Sequence, residues 1–434
     1  MVQEMRKMKD SGIEWIGEIP EGWEVRKIKS NFAIYAGATP KSEKTEYWDG
    51  GIPWITPADF KTTDKYASYG RKSLTSLGYD SCGTTLVPAG SIIFSKRAPV
   101  GSVVIAKNAL CTNQGCLSCI PNEAVNSTYF YYCMSIFTEQ FELVSAGTTF
   151  KEIAASTFAS FLLPCPPLSQ QNEIVNFLDK EISHVDSMLF HIRSSIEEYK
   201  KLKQAVITQA VTKGVRGERA MKDSGVEWIG EIPKEWGRTK IKMIASFFNG
   251  DRTSRYPQPT DFVDDGIAFL TSRNIDGDEV DLSETKYITK SKYNSLSGAK
   301  IQIDDIIFCL RGSVGKCAIN RTLSCGTVAS SLATIRPKDI HPKYLLYFLL
   351  SNVASIQTAV FMNGTCAANL SAENVANYYI TLPRSTEQKE IADYLDAKCA
   401  EIDGLIAKKE QLVKELESYK KSLIYEVVTG KREV

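Results

Sequence analysis

Residues 171–211 read QNEIVNFLDKEISHVDSMLFHIRSSIEEYKKLKQAVITQAV. Apolar side chains recur at Val175, Leu178, Ile182, Val185, Leu189, Ile192, Ile196, Tyr199 and Val206 in alternating steps of three and four. The row is broken once, at Lys203, with Leu202 beside it. This is the heptad pattern of a helix that packs lengthwise against a partner helix. The pattern returns 217 residues later, half of the 434-residue chain, as Leu395, Ile402, Ile406, Val413, Leu416, Leu423 and Val427. One chain therefore carries two matching long helices, each the natural partner of the other. A helix of ~40 residues is ~60 Å long, which is the proportion of a spacer.

The rest of the chain repeats as well. Met8–Trp23 reads MKDSGIEWIGEIPEGW and Met221–Trp236 reads MKDSGVEWIGEIPKEW, identical at thirteen of sixteen positions. Identity of that length outside low-complexity sequence means internal duplication. The Gly, Pro and Trp content predicts a compact non-helical lead-in that pins the next unit to the helix ends. The segments that follow, 24–162 and 237–381, carry the same landmarks in the same order. GIPWITPADF (Gly51–Phe60) answers GIAFLTSRNI (Gly266–Ile275), and SIIFSKRAPVG (Ser91–Gly101) answers DIIFCLRGSVG (Asp305–Gly315). STYFYYCMSI (Ser127–Ile136) answers PKYLLYFLLS (Pro342–Ser351), and GTTFKEI (Gly147–Ile153) answers GTCAANL (Gly364–Leu370). The IIF runs read as buried strands and the Tyr- and Leu-rich stretches as amphipathic helices, so each unit is α+β. Between landmarks the two differ almost completely, as expected if each reads a different target.

Each unit ends at a proline-bearing break, after which Ser169, and Ser385 or Thr386, are the expected helix N-caps. The helices should stop near Lys213-Gly214 and Thr429-Gly430. Gly214–Gly217 reads as a flexible joint. The domain plan is thus 1–23 lead-in, 24–162 first variable unit, 163–214 first long helix, 215–236 repeat lead-in, 237–381 second variable unit and 382–434 second long helix.

Composition narrows the class. Charged residues are 24% and hydrophobic ones 43%, the balance of an ordinary globular protein. The formal net charge of +1 means that any basic surface has to come from arrangement. No apolar run approaches a membrane span, and MVQEMRKMKDSG lacks the apolar core of a secretory signal, so a cytoplasmic location is expected. The eleven cysteines are scattered through apolar surroundings. Cys111, Cys116 and Cys119 lack a second ligand pair, and His184, His191 and His341 lie elsewhere, so reduced core thiols are expected and no metal site. Gly312-Ser-Val-Gly-Lys316 departs from a phosphate loop in glycine spacing, and Cys317 stands where Ser or Thr is required. Acidic clusters at Asp264-Asp265, Asp276 to Asp281 and Asp304-Asp305 fall in turns and do not recur in both halves. A duplicated catalytic machine should repeat its catalytic residues; this chain repeats only a frame.

In DSGIEWIGEIPEGW and its repeat, PWITPADF, SIIFSKRAPVG, GTTFKEI, and LPCPPLSQQNEIVNFLDKEI with LPRSTEQKEIADYLDAKC, the whole chain resembles a specificity subunit of a Type I restriction–modification system. The resemblance implies two target-recognition domains, each reading one half of a split DNA site. They are separated by two long helices forming an antiparallel coiled coil with an internal pseudo-twofold repeat. It implies a chain without catalysis that docks two modification (methyltransferase) subunits, which restriction subunits then join. S-adenosylmethionine would belong to the methyltransferase partner, acting on adenine, and ATP and Mg to the restriction partner; this chain would need no cofactor. GTCAANL replaces the Thr and Lys of GTTFKEI, so that loop would meet DNA differently in the second unit.

A DNA reader needs phosphate anchors and a few side chains at base edges. The candidates are Lys96, Arg97, Thr148, Thr149 and Lys151 in the first unit, and Arg273, Asn274, Arg311, Lys316, Thr365 and Asn369 in the second. Arg suits bidentate contact with guanine and Asn with adenine. Trp54 reads as core and not as a stacking platform. Two other classes fit the pattern: a coiled-coil adaptor that binds protein alone, and the specificity module of a Type IIB-like fused system.

Overall fold

The computed structural model describes residues 6–60, 64–97, 99–147, 151–275, 277–362 and 369–434. The chain folds as two compact units, 1–192 with 411–434, and 193–410. Each unit holds one lead-in, one variable domain and one end of each long helix. The boundaries therefore cut across the helices and not between them.

In the first unit the lead-in is a β-hairpin, Met8–Asp10 against Glu18–Pro20. Its buried Ile13, Ile16, Ile19 and Trp23 join a core with Leu178 and Ile182 of the first helix and Leu423, Ile424, Val427 and Val428 of the second. The residues so joined run in opposite chain directions, so the helices are antiparallel. The variable domain is opened and closed by strands Glu24–Lys27 and Leu162–Cys165, paired antiparallel. Between them lies a five-stranded sheet in the order Phe32–Ala36, Cys116–Pro121, Ile92–Ser95, Val103–Ala106, Tyr66–Ala67. The IIF run is its middle strand and is buried throughout, which is why it consists of β-branched and aromatic residues.

The second unit repeats this frame. Its hairpin is Met221–Asp223 with Glu231–Pro233, and its closing pair is Gly237–Lys240 with Tyr379–Leu382. Ile306–Cys309 lies between Leu332–Pro337 and Cys317–Ile319 in a four-stranded sheet. Trp236, Ile229, Ile207, Ala210 and Val211 share a core with Ile391, Leu395 and Cys399. The Tyr- and Leu-rich segments are helices, Ser127–Ile136 and Pro342–Leu350. The second is not amphipathic: Tyr344 to Leu349 are all buried, as expected of a helix apolar on every side.

The long helices span Leu168–Lys213 and Ser385–Val428. Their start corrects the expected caps. Ser169, Ser385 and Thr386 lie inside the first turn, where Gln171 N and Gln388 N already bond to Pro167 O and Arg384 O. The upstream carbonyls are taken by glutamine side chains, Gln171 Nε2 to Pro166 O at 2.9 Å and Gln388 Nε2 to Pro383 O at 3.0 Å. Both helices end on a left-handed glycine, Gly214 at φ 79° and Gly430 at φ 72°, the usual helix stop. A Cβ at Gly214 would run into the Arg219 guanidinium, and one at Gly430 into the Pro20 ring.

Along the seam Leu178, Ile182, Val185, Leu189, Ile196, Leu395 and Ile402 are buried, whereas Ile192, Ile406, Val413 and Leu416 are half-buried. Two helices alone cannot enclose every seam residue. Lys203, which breaks the heptad row, reaches Asp403 at 2.6 Å in the second unit. Its counterpart Lys420 reaches Asp186 at 2.6 Å in the first. Shifting one helix by a heptad would set Asp186 against Val413 or Val427, and Asp403 against Ile196 or Ala210. A charged residue in a seam of this kind specifies register at a cost in stability.

Candidate nucleic-acid interface

In the first unit the loop after the IIF strand and the GTTFKEI segment come together. Ile153 N donates to Lys96 O at 3.0 Å, and Arg97 forms an antiparallel bridge with Glu152. This places Lys96, Arg97 and Lys151 in one cluster. Glu152 sits within it, 2.8 Å from Lys96 Nζ and 3.7 Å from Arg97 Nη1. The hydrogen bond from Lys96 holds the Glu152 carboxyl below its ordinary range. Lys151 lies 3.6 Å from Glu142. Thr148 and Thr149 lie outside the described residues.

The second unit builds the same corner with other side chains. Leu370 N donates to Leu310 O at 3.0 Å, and Arg311 bridges Asn369. Cys309 N donates to Lys316 O at 2.8 Å, so Arg311 and Lys316 flank one turn, both exposed. Thr365 lies outside the described residues. The turn Gly312–Lys316 that faintly resembled a phosphate loop is the connection between two antiparallel strands.

Two candidates fall elsewhere. Arg273 lies on the 3-10 turn Ser272–Asn274, 77% exposed and 3.7 Å from Glu284. Asn274 is 1% exposed, and its amide is fully used. Oδ1 accepts from Thr271 N at 2.8 Å, and Nδ2 donates to Asp281 O at 2.9 Å and Thr285 Oγ1 at 3.1 Å. It laces a turn and has no donor left for a base. Asp59 fills the same place in the first unit, accepting from Thr56 N at 2.9 Å. Trp54 is core: its Nε1 donates to Ala38 O at 3.0 Å and its ring meets Trp48 edge-on. Cys111, Cys116 and Cys119 are buried on strands; burial pushes the Cys111 thiol up to about 11 and the other two further.

Glu152 and Glu142 were missed from sequence because their role depends on a tertiary bridge.

The pattern of the Type I restriction modification DNA specificity domain matches residues 20–198 and again 233–415. The chain belongs to this family. Specificity subunits of this family are in general not themselves catalytic. They recognise DNA within an assembly that includes other subunits.

Among curated relatives of this specificity chain is the Type I restriction enzyme MjaIX specificity subunit of Methanocaldococcus jannaschii. It is 28% identical over 375 residues, covering 85% of this chain and 84% of the relative. The Type I restriction enzyme EcoBI specificity subunit of Escherichia coli is 25% identical, covering 74% and 70%. A chain from a solved type I R-M system assembly superposes with a TM-score of 0.74 at 14% identity, covering 95% of this chain and 99% of that one. The HsdS subunit from Thermoanaerobacter tengcongensis gives 0.50 at 15% identity, covering 95% and 98%. These structures share the fold, and the antiparallel helix pairing within each unit belongs to it. Among the described residues no single helix is long and apolar enough to cross a membrane.

Proposed function

We propose that each variable domain of this specificity subunit reads one half of a bipartite double-stranded DNA site, while the paired helices set the spacing and dock two methyltransferase subunits. The observation that carries the reading is the repeated corner after the IIF strand. Lys96 and Arg97 in one unit, and Arg311 and Lys316 in the other, project from the same frame amid otherwise different sequence. The arginine is at a fixed place, Arg97 in one unit and Arg311 in the other, and suits phosphate anchoring, while its changed neighbours, Lys96 against Leu310 and Ser102 against Lys316, change what is read.

Restriction subunits join the complex in this reading, which works in the cytoplasm. S-adenosylmethionine belongs to the methyltransferase, which flips an adenine out of the duplex to reach it, and ATP and Mg to the restriction subunit. Replacing 24–162 with the corresponding segment of a relative should then change one half-site and leave the other. Methylome sequencing reads this directly, and a simultaneous change of both half-sites would refute the two-reader arrangement.

A further inference from the structure

The two readers differ in charge at one equivalent position, anionic in the first and neutral in the second. Glu152 and Asn369 each bridge the arginine that follows the IIF strand, Arg97 and Arg311 respectively. In the first reader the carboxylate engages both neighbouring cations, Lys96 at 2.8 Å and Arg97 at 3.7 Å. The third cation, Lys151, has Glu142 at 3.6 Å. In the second reader Arg311 and Lys316 are exposed, and no ion pair joins either to a carboxylate among the described residues. The adjoining segment 363–368, NGTCAA, contains no acid. Asn369 is exposed and uncharged.

We propose that Glu152 is a specificity-determining residue of the first reader: its carboxylate holds Lys96 and Arg97 away from DNA phosphate until the correct half-site is engaged. The inference rests on the reading of both units as DNA readers. Sequence-independent affinity comes from cations that replace condensed counterions on phosphate. A cation already paired with a carboxylate must exchange one anion for another, and gains less. Non-specific DNA therefore holds the first reader weakly, and base contacts have to supply more of its binding. The second reader, with Arg311 and Lys316 open, grips backbone of any sequence.

The test is binding of the full-length chain to a duplex of unrelated sequence across a salt series, with methylome sequencing of the assembled enzyme. Glu152→Gln should steepen the dependence of log affinity on log salt by about one to two units. That is an extra ~3- to ~12-fold fall in affinity from about 50 to about 200 mM salt, with tighter non-specific binding at the low end. Asn369→Glu should do the reverse in the second reader, flattening the dependence by about one unit. Glu152 is partly exposed and Asn369 exposed, so unchanged melting curves are expected for both. Glu152→Gln with the wild-type salt slope would overturn the inference. So would a changed base in the methylated half-site with no change in slope, which would make Glu152 a direct base contact. A wild-type chain that holds no duplex DNA at any salt, alone or in the assembled enzyme, would instead overturn the reading of the units as DNA readers, and this inference with it.

Discussion

Glu387, at the start of the second long helix, is the place where a single substitution tests how the lead-ins hold the helices. Its carboxylate accepts from Arg219 Nη1 at 2.6 Å and from Trp236 Nε1 at 2.9 Å, and the Arg219 guanidinium stacks 5.2 Å from the Trp236 ring. The side chains of Glu387 and Arg219 are 4% and 14% exposed. The first unit builds the same clamp with a neutral acceptor: Gln170 Oε1 takes Trp23 Nε1 at 2.7 Å and Arg6 Nη2 at 3.1 Å. The chain thus contains its own isosteric control. Glu387→Ala removes both bonds, leaving the buried Trp236 indole N–H unpaired and the mostly buried Arg219 guanidinium without its buried carboxylate. Breaking a buried pair in this way costs about 3–5 kcal/mol. Glu235, 2.9 Å from Arg219, remains as a half-exposed partner and places the expected loss at the lower end, about 3 kcal/mol. Glu387→Gln keeps an acceptor and should lose only about 1 kcal/mol. For a unit the size of 193–410, each kcal/mol is worth about 2–4 °C. The Ala variant should therefore melt about 6–12 °C lower and the Gln variant about 2–4 °C lower. Thermal unfolding followed by circular dichroism measures both. A Gln variant as unstable as the Ala variant would refute the argument, because charge, and not the accepted hydrogen bonds, would then be what the clamp needs.

Reversing Lys203 to Glu should cost about 0.5–1 kcal/mol, since the Lys203–Asp403 pair is partly exposed; adding Asp403→Lys should recover it, and a double-mutant cycle with no coupling would mean the pair does not lock register. Ellman's reagent on the native chain should label exposed Cys325 and spare Cys111, Cys116, Cys119, Cys133 and Cys317, whose thiols burial both shields and pushes up. Burial alone would raise the Asp251 carboxyl, yet hydrogen bonds from Thr253 and Ser297 hold it well below the usual range. A depressed folded value means stability present above the unfolded value of about 4 and lost as pH falls toward the folded one. Asp251→Asn should therefore flatten the acid limb of the melting temperature below about pH 4.

The helix seam was legible because its rule is local: one period read along one chain. Leu178, Ile182, Leu395 and Ile402 are buried where the heptad places them. The duplicated lead-in was equally plain, and its β-hairpin sits against the helix ends as its tryptophans implied. Lys203 was visible as a fault in the row but not as a contact, because Asp403 lies 200 residues away. Asn274 shows the limit of residue type. Asparagine serves adenine recognition and turn lacing with the same amide, and only burial separates the two uses. Glu152 carried no local signal, since its partners Lys96 and Arg97 reach it through a bridge between distant segments.

On the proposed reading, in which the paired helices set the half-site spacing, the helix ends also decide how that spacing can change. In the second unit, Val211 O accepts from the hydroxyls of Tyr344 at 3.3 Å and Thr381 at 2.6 Å, and Arg219 Nη2 donates to Lys213 O at 3.0 Å. Residues added after Thr212 would pull the Tyr344 and Thr381 hydroxyls off Val211 O before they lengthened anything. Residues added to one helix alone would carry Lys203 or Lys420 past its aspartate and set charge against the seam, a costly burial. Lengthening has to be paired, with equal insertions in both helices inward of the two ion pairs. A heptad in each keeps the seam in phase and adds about 10 Å, close to three base pairs at ~3.4 Å each. The antiparallel pairing that holds each unit's own helix ends is thus what makes spacing a property of both helices at once.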